Sequence, residues 1–277
     1  MYSINCRGRL LSIKEPLVMG IINATPDSFY EGQLNYGVEG IVFLAGKMIA
    51  DGADILDVGG LSTRPGSKPV SVEEETNRVI PAIKAIAGKY PEAILSVDTY
   101  NSIVAQKAVE AGAGIVNDIS AGNLDKEMLA TVARLQVPYI CMHMKGTPET
   151  MQKEAVYEDL VNEVLDFFIE KIDACTRLGI KDIIIDPGFG FGKTTEHNFQ
   201  LLKKLEIFSI VNKPLLAGLS RKSSIYKTLG TSAAEALNGT TVLNTIALLH
   251  GASILRVHDV KEAKEAITLY GAYKKAT

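Results

Sequence analysis

Ile183-Ile184-Ile185-Asp186-Pro187-Gly188-Phe189-Gly190-Phe191-Gly192-Lys193 joins an uninterrupted apolar run to a carboxylate and then to three glycines. Strands of a sheet covered on both faces read as continuous aliphatic residues. The run therefore predicts a buried strand, with Asp186 standing where that strand leaves its cover. The glycines let backbone approach a ligand more closely than residues with a Cβ allow. The stretch is a near miss for a phosphate-cradling P-loop, whose G-x-x-x-x-G-K-[ST] pattern needs glycine where this chain has Pro187, and that reading is rejected. A solvated loop with a capping aspartate is the plainer alternative on these residues alone.

Apolar runs of the same kind recur at 17–23, 53–59, 93–98, 115–120, 137–143, 182–186, 214–220 and 253–258. Between them lie segments with apolar residues three and four apart, the mark of amphipathic helices. Val38, Ile41, Val42, Ala45, Met48 and Ile49 form one such face, and Tyr157, Leu160, Val161, Val164, Leu165 and Phe168 another. Ser71 with Glu74, Ser232 with Glu235 and Asp259 with Glu262 have the spacing of a capping box. Pro81 falls inside the second helix and is expected to kink it. Strand-then-helix units repeated without a break in composition predict an α/β fold, a closed (β/α)8 TIM barrel occupying residues 1–277 as one domain. A doubly wound open sheet is the structural alternative. The length of 277 residues suits a barrel, for which about 250 is typical.

Hydrophobic residues make up 47% of the chain and charged ones 22%, so no segment is biased enough to predict disorder. Net charge is −3 with lysines and arginines scattered, which argues against a nucleic-acid partner. The opening residues lack the apolar run of a signal peptide, and no stretch reaches membrane-spanning length. A cytoplasmic protein with no membrane partner is expected. Cys6, Cys141 and Cys175 are too few and too far apart for a disulfide framework or a zinc site, and read as buried reduced thiols.

Barrel enzymes carry their chemistry at the C-terminal ends of the strands, and here those ends are polar. They offer Asn23, then Thr63 and Arg64, Asp98, Asn117 and Asp118, Met142 and His143, Asp186, Ser220 with Arg221 and Lys222, and finally Arg256 with His258. Asp98, Asn117 and Asp186 suit a flat heterocycle with amino and ring N–H groups, since a buried carboxylate needs matched donors. Arg64, Arg221, Lys222, Arg256 and His258 make a cationic cluster on a mildly acidic chain and suggest an anionic ligand group, phosphate above all. Arg256 and His258 alternate along one strand and should point to the same side. A salt bridge to Asp259 or a neighbouring loop is the alternative for that pair. Two segments, residues 24–32 and 61–66, mix turn formers with reactive side chains as lids do, though rigid turns would read the same way.

Taken together, Met19-Gly20-Ile21-Ile22-Asn23, Thr25-Pro26-Asp27-Ser28-Phe29, Ser62-Thr63-Arg64-Pro65-Gly66, the 186–193 stretch and Arg256-Val257-His258 resemble the dihydropteroate synthases of folate biosynthesis over nearly the whole chain. The resemblance implies a transferase that joins a dihydropterin methyl diphosphate to para-aminobenzoate, releasing diphosphate by a dissociative substitution. It also implies a barrel, Mg2+ carried with the diphosphate, and a homodimer. By the same resemblance Asp98, Asn117, Asp186, Met142 and Lys222 match pterin-binding positions. Asn23, Thr63, Arg256 and His258 match diphosphate and metal positions, with Asn23 on the metal. Pro65, Phe191 and Ser223 match the aminobenzoate pocket, Ser223 being expected to open a helix. Arg64, Lys222, Arg256 and His258 are the residues expected to take part in catalysis. Glu31 stands where many members have aspartate and Leu61 where glutamate is common, which bears on the lid loops. A folate–corrinoid methyltransferase and a non-catalytic pterin-binding protein are the rival readings.

Overall fold

The computed structural model describes residues 2–25, 37–61 and 70–276. A hairpin of β1 (Tyr2–Cys6) and β2 (Arg9–Ile13) comes first. Strands and helices then alternate: β3 (Leu17–Asn23), α1 (Gly37–Ala50), β4 (Ile55–Gly59), α2 (Val72–Lys89), β5 (Leu95–Asp98), α3 (Ser102–Ala111), β6 (Ile115–Asp118) and α4 (Met128–Leu135). They continue with β7 (Tyr139–Met142), α5 (Leu160–Arg177), β8 (Ile183–Asp186), α6 (Thr195–Lys203), β9 (Leu216–Ala217), α7 (Ser223–Leu229), α8 (Leu237–Leu249), β10 (Ile254–Val257) and α9 (Val260–Lys275). The strands form one 8-stranded sheet in the order β8-β7-β6-β5-β4-β3-β10-β9. Every neighbour pair in it is parallel, and β10 returns to lie beside β3. The remaining gap is bridged where Ile185 N donates to Pro214 O at 3.0 Å and Ile185 pairs with Leu215. This is the expected eight-stranded barrel, and each of the expected strands is present, the first with its expected bounds and the others shortened.

Side-chain alternation along the strands divides the core. Val18, Leu56, Val116, Cys141, Ile185, Ala217 and Leu255 pack outward with the helices. Leu17, Met19, Ile55, Ile115, Ile140, Ile184, Leu216 and Ile254 meet one another inside the barrel as its floor. Successive residues of a strand face opposite sides, so residues two beyond these floor positions stand on the inner wall nearer the mouth. The first hairpin closes the floor from below, with Ile4, Cys6 and Ile13 buried against it. That hairpin was absent from the sequence reading, although Arg7 and Gly8 both take left-handed φ (53° and 86°), the conformation of the two-residue turn that joins hairpin strands.

Helix faces follow the periodicity with small corrections. Ile41, Val42, Ala45 and Met48 are buried on α1, while Val38 is exposed. Leu160, Val161, Val164 and Phe168 are buried on α5. Ser71 caps α2 by accepting from Glu74 N, and the helix runs on past Pro81 to Lys89. The second expected box is instead a turn ahead of α8, where Ser232 Oγ donates to Glu235 Oε2 at 2.8 Å. Asp259 does precede α9 but makes no capping bond, because its carboxylate receives Arg221 Nε and Nη2, each at 2.9 Å. No described helix is long and apolar enough to cross a membrane.

Asp118 shows how a charge is kept in the outer layer. Ser120 N and Oγ donate to Oδ1, and Gly122 N and Tyr139 Oη donate to Oδ2, all at 2.7 Å. Burial raises its pKa, and these bonds oppose the rise. Asp118 is therefore a structural acid of the helix-facing side. Tyr139→Phe should cost about 1–3 kcal/mol, since it leaves a buried acceptor one donor short. Urea denaturation should show a lower midpoint with an unchanged slope; an unmoved midpoint would show that the hydroxyl contributes nothing to the fold.

Candidate functional site

At the inner wall the strand register sets the site. Asn23 pairs with Gly59, Gly59 with Asp98, Asp98 with Asn117, and Met142 with Asp186. These residues stand at matching heights on successive strands, so the polar side chains among them converge on one mouth. Asp57, two residues above Ile55, is completely buried. Its Oδ2 accepts from Arg256 Nε at 2.7 Å and from Asn117 Nδ2 at 2.9 Å. Arg256 reaches on to Asp98, Nη2 donating to Oδ2 at 2.5 Å. One guanidinium thus joins two acids, and one of those acids orients the Asn117 amide.

This arrangement corrects two expectations. Arg256 does not belong to a cationic cluster separate from the acids, because it is ion-paired with them. His258 lies one residue beyond β10, is exposed, and has Nδ1 2.9 Å from Ser220 Oγ. Arg221 also leaves the cationic group: besides Asp259 it donates from Nη1 to the carbonyls of Ala233 and Ala234. Asp57 was missed by sequence reasoning. The signal was present, since Ile55-Leu56-Asp57-Val58-Gly59 places one charge on the barrel-facing alternation of an otherwise apolar strand.

Asp186 ends β8, where its Oδ1 accepts from Gly188 N at 2.7 Å. Gly188 has φ +69°, and a Cβ there would lie 1.9 Å from His143 O, so only glycine lets this turn rest on the end of β7. Lys222 N-caps α7 and donates from Nζ to Phe189 O. Its ammonium also sits 4.7 Å from the centroid of the Phe191 ring, within cation–π range. Ser223 opens α7, as expected. Phe191 and Tyr100 pack against an apolar cluster of Ile119, Met142, Met144 and Met151. A flat ring entering the mouth would meet acids and an amide below and sulfur and aromatic surface at the side. Thr63, Arg64 and Pro65, the expected residues of the second loop, lie outside the described residues, as do Glu31 and residues 26–36 and 62–69 generally.

The electrostatics follow from enclosure. Burial raises the Asp98 pKa from 3.8 to about 7; Arg256 opposes the rise, while Asp57, Glu75 and Asp118 add to it. Burial likewise raises Asp186 against the pull of Lys222 and the Gly188 N–H. Lys222 is pushed down to about 8 by burial, with Asp186 resisting. Arg256 stays charged, because burial is outweighed by Asp57 and Asp98. The mouth holds one carboxyl, Asp98, that changes protonation near neutrality beside a guanidinium, Arg256, that does not, as a ligand bringing N–H donors and an anionic group would require.

Residues 19–258 match the model of a family described as pterin binding enzyme. The chain is 45% identical over 268 residues to the dihydropteroate synthase of Escherichia coli (strain K12), covering 96% of this chain and 94% of that one. A solved dihydropteroate synthase from Xanthomonas albilineans with 4-aminobenzoic acid superposes with a TM-score of 0.93 at 42% identity, covering 99% of each chain. Another from the same organism, in complex with 7,8-dihydropteroate, gives 0.90 at 39% identity and covers 100% of both.

The Asp98 shift sets the sign of a stability effect. Between about pH 4 and 7 the folded protein holds a proton on Asp98 that the unfolded chain has released, so stability falls as pH rises through that window. Asp98→Asn removes the effect. Urea unfolding at steps from pH 4 to pH 7 should show the unaltered protein losing stability relative to the variant as pH rises, and a difference that stays constant would reject the shifted carboxyl.

Proposed function

The chain belongs to the pterin-binding enzyme family and within it to the dihydropteroate synthases. From that membership we propose that its barrel mouth condenses a dihydropterin methyl diphosphate with para-aminobenzoate. The single observation that carries this reading is the joining of Asp98, Asn117 and Arg256 through the buried Asp57, across the mouth from Asp186. This joining supports ring recognition and anion recognition at one barrel mouth. A pterin edge presents amino and ring N–H donors, for which Asp186 and Asp98 are acceptors. An aminobenzoate carboxylate fits beside Ser223 and Lys222, at a helix start that offers unbonded N–H groups.

In the reaction the bond between the pterin methylene and its diphosphate oxygen breaks first, leaving a cation delocalised over the pterin ring. The aminobenzoate nitrogen then bonds to the methylene and loses a proton. Asp186 and Asp98 hold the ring in place and favour the cation. Arg256, fixed by Asp57 and Asp98 through Nε and Nη2, keeps Nη1 for a phosphate oxygen, and His258 stands at the rim above it. These groups act where negative charge develops on the leaving group, and fixed donors there are effective because they need no reorganisation.

Among the described residues no group of three or more His, Cys, Asp or Glu could hold a metal ion. Mg2+ arriving with the diphosphate would need no such group, because Mg2+ keeps several waters and takes few protein ligands beside substrate phosphates. Asn23, half-buried at the end of β3, would supply one amide oxygen, and the ion would neutralise diphosphate charge.

A homodimer is part of the same reading. Leu229 on α7 and Val242 and Leu249 on the neighbouring α8 expose apolar side chains that a second copy would cover. A cytoplasmic setting is supported by three buried free thiols.

Mixing both substrates with Mg2+ should release diphosphate and yield dihydropteroate, whereas chelation by EDTA should abolish turnover. Absence of diphosphate release would count against the synthase and leave a pterin binder or methyltransferase. Asp186→Asn replaces an acceptor by a donor facing the pterin N–H groups, and its pterin dissociation constant, measured by calorimetry, should rise about tenfold or more. An unchanged constant would remove Asp186 from the ring slot. With Asp98 titrating at about 7 and a ligand that donates to its ionised form, pterin affinity should rise from pH 5 to 7 and level off above.

A further inference from the structure

Lys193 closes the glycine-rich loop and points away from solvent, with only 3% of its surface exposed. Its Nζ lies 2.9 Å from His143 Nδ1, 2.9 Å from Phe191 O and 3.4 Å from His143 O. Burial is the main cause pushing His143 down to about 2, so the imidazole is neutral, and its Nδ1 shares a hydrogen bond with Lys193 Nζ. The His143 ring is held in turn by the edge-on Phe167, 4.9 Å between centroids.

Lys193 is one of a set. Four successive carbonyls of the loop are taken by side chains, three of them from other parts of the chain: Phe189 O by Lys222, Gly190 O by Gln152, Phe191 O by Lys193 itself and Gly192 O by the Tyr157 hydroxyl at 2.8 Å. Asn198 Oδ1 accepts from Gly190 N at 2.6 Å. Glycines at 188, 190 and 192 all have left-handed φ, so the backbone has little conformational preference of its own. The loop is placed by what grips it.

We propose that Lys193 is a positioning residue for the aminobenzoate step, tying the end of β7 to the loop that carries Phe191 and so setting the gap between the two ring sites. The tie is direct, since one Nζ touches the residue after Met142, which lines the ring slot, and the carbonyl of Phe191, whose ring lies under Lys222. This rests on the function proposed above. Enclosure on all sides leaves Lys193 no route to a substrate, so its part is geometric and not nucleophilic.

Lys193→Met keeps the length of the side chain and removes its donors. Tyr157→Phe removes a single hydroxyl from the same loop with no change of shape. With diphosphate release measured at saturating pterin diphosphate, the first variant should raise the KM for aminobenzoate about tenfold, which is ~1.4 kcal/mol. The second should raise it in the same direction by about threefold. Calorimetry with pterin diphosphate alone should give dissociation constants within about threefold of the unaltered enzyme for both. Unchanged aminobenzoate KM in both variants would overturn the positioning role, and so would an equal loss of pterin affinity, which would mean general collapse of the mouth. If Lys193→Met fails to fold, Tyr157→Phe decides on the same criteria. Absence of turnover in the unaltered enzyme would instead sink the proposed function, and the positioning role with it.

Discussion

A carboxylate with no solvent exposure has to be compensated, and in this protein Asp57 is compensated by Arg256 and Asn117. Taking Arg256 away would strand a charge inside the barrel, which costs several kcal/mol, and taking Asn117 away would cost that carboxylate a donor. That requirement holds Arg256 across the interior toward Asp98 and fixes the plane of the Asn117 amide. Asp98, Asn117 and Arg256 are therefore positioned together by one buried ion pair. Asp57 Oδ1 is itself buried without a hydrogen-bond partner, so the network is left one donor short. Buried polar atoms are rarely left so, and a functional role is one of the recognised reasons when they are.

The barrel supplies the frame for this cluster through simple alternation. Floor residues such as Ile55, Ile115 and Ile184 seal the interior against the hairpin below. The next inward positions are Asp57, Asn117 and Asp186. Outward positions at the same height face the helices, and there Asp118 is wrapped by Ser120, Gly122 and Tyr139. Asn117 and Asp118 are neighbours in sequence, yet they belong to different layers. One lines the mouth and the other supports the wall, and a shift of one residue in the strand would exchange them.

Around the mouth, loops are gripped by side chains from other elements. The β8 loop draws on α7 through Lys222, on α6 through Asn198, and on the segment between β7 and α5 through Gln152 and Tyr157. Arg78 from α2 donates to Gly60 O at 2.9 Å where the second loop leaves β4. Loop geometry here is thus a property of several packed helices, so substitutions on those helices bear on the site without touching a ligand.

The sequence by itself determined the order and number of barrel strands, because eight short apolar runs alternating with helical periods admit few other folds. It also determined the acids and cations at the strand ends, because charges at the edge of buried strands stand out in one dimension. It did not determine which of those charges pair. Arg256 meets Asp57 and Asp98 across sequence separations of 199 and 158 residues, and Arg221 turns to Asp259, a choice made only once barrel closure brings the strand ends together. Asp57 and Lys193 belong to the same class: their positions were readable, but their work depends on partners that only the tertiary structure supplies. The physical reason is that periodicity records which face a residue occupies, whereas a buried charge is defined by what lies opposite it.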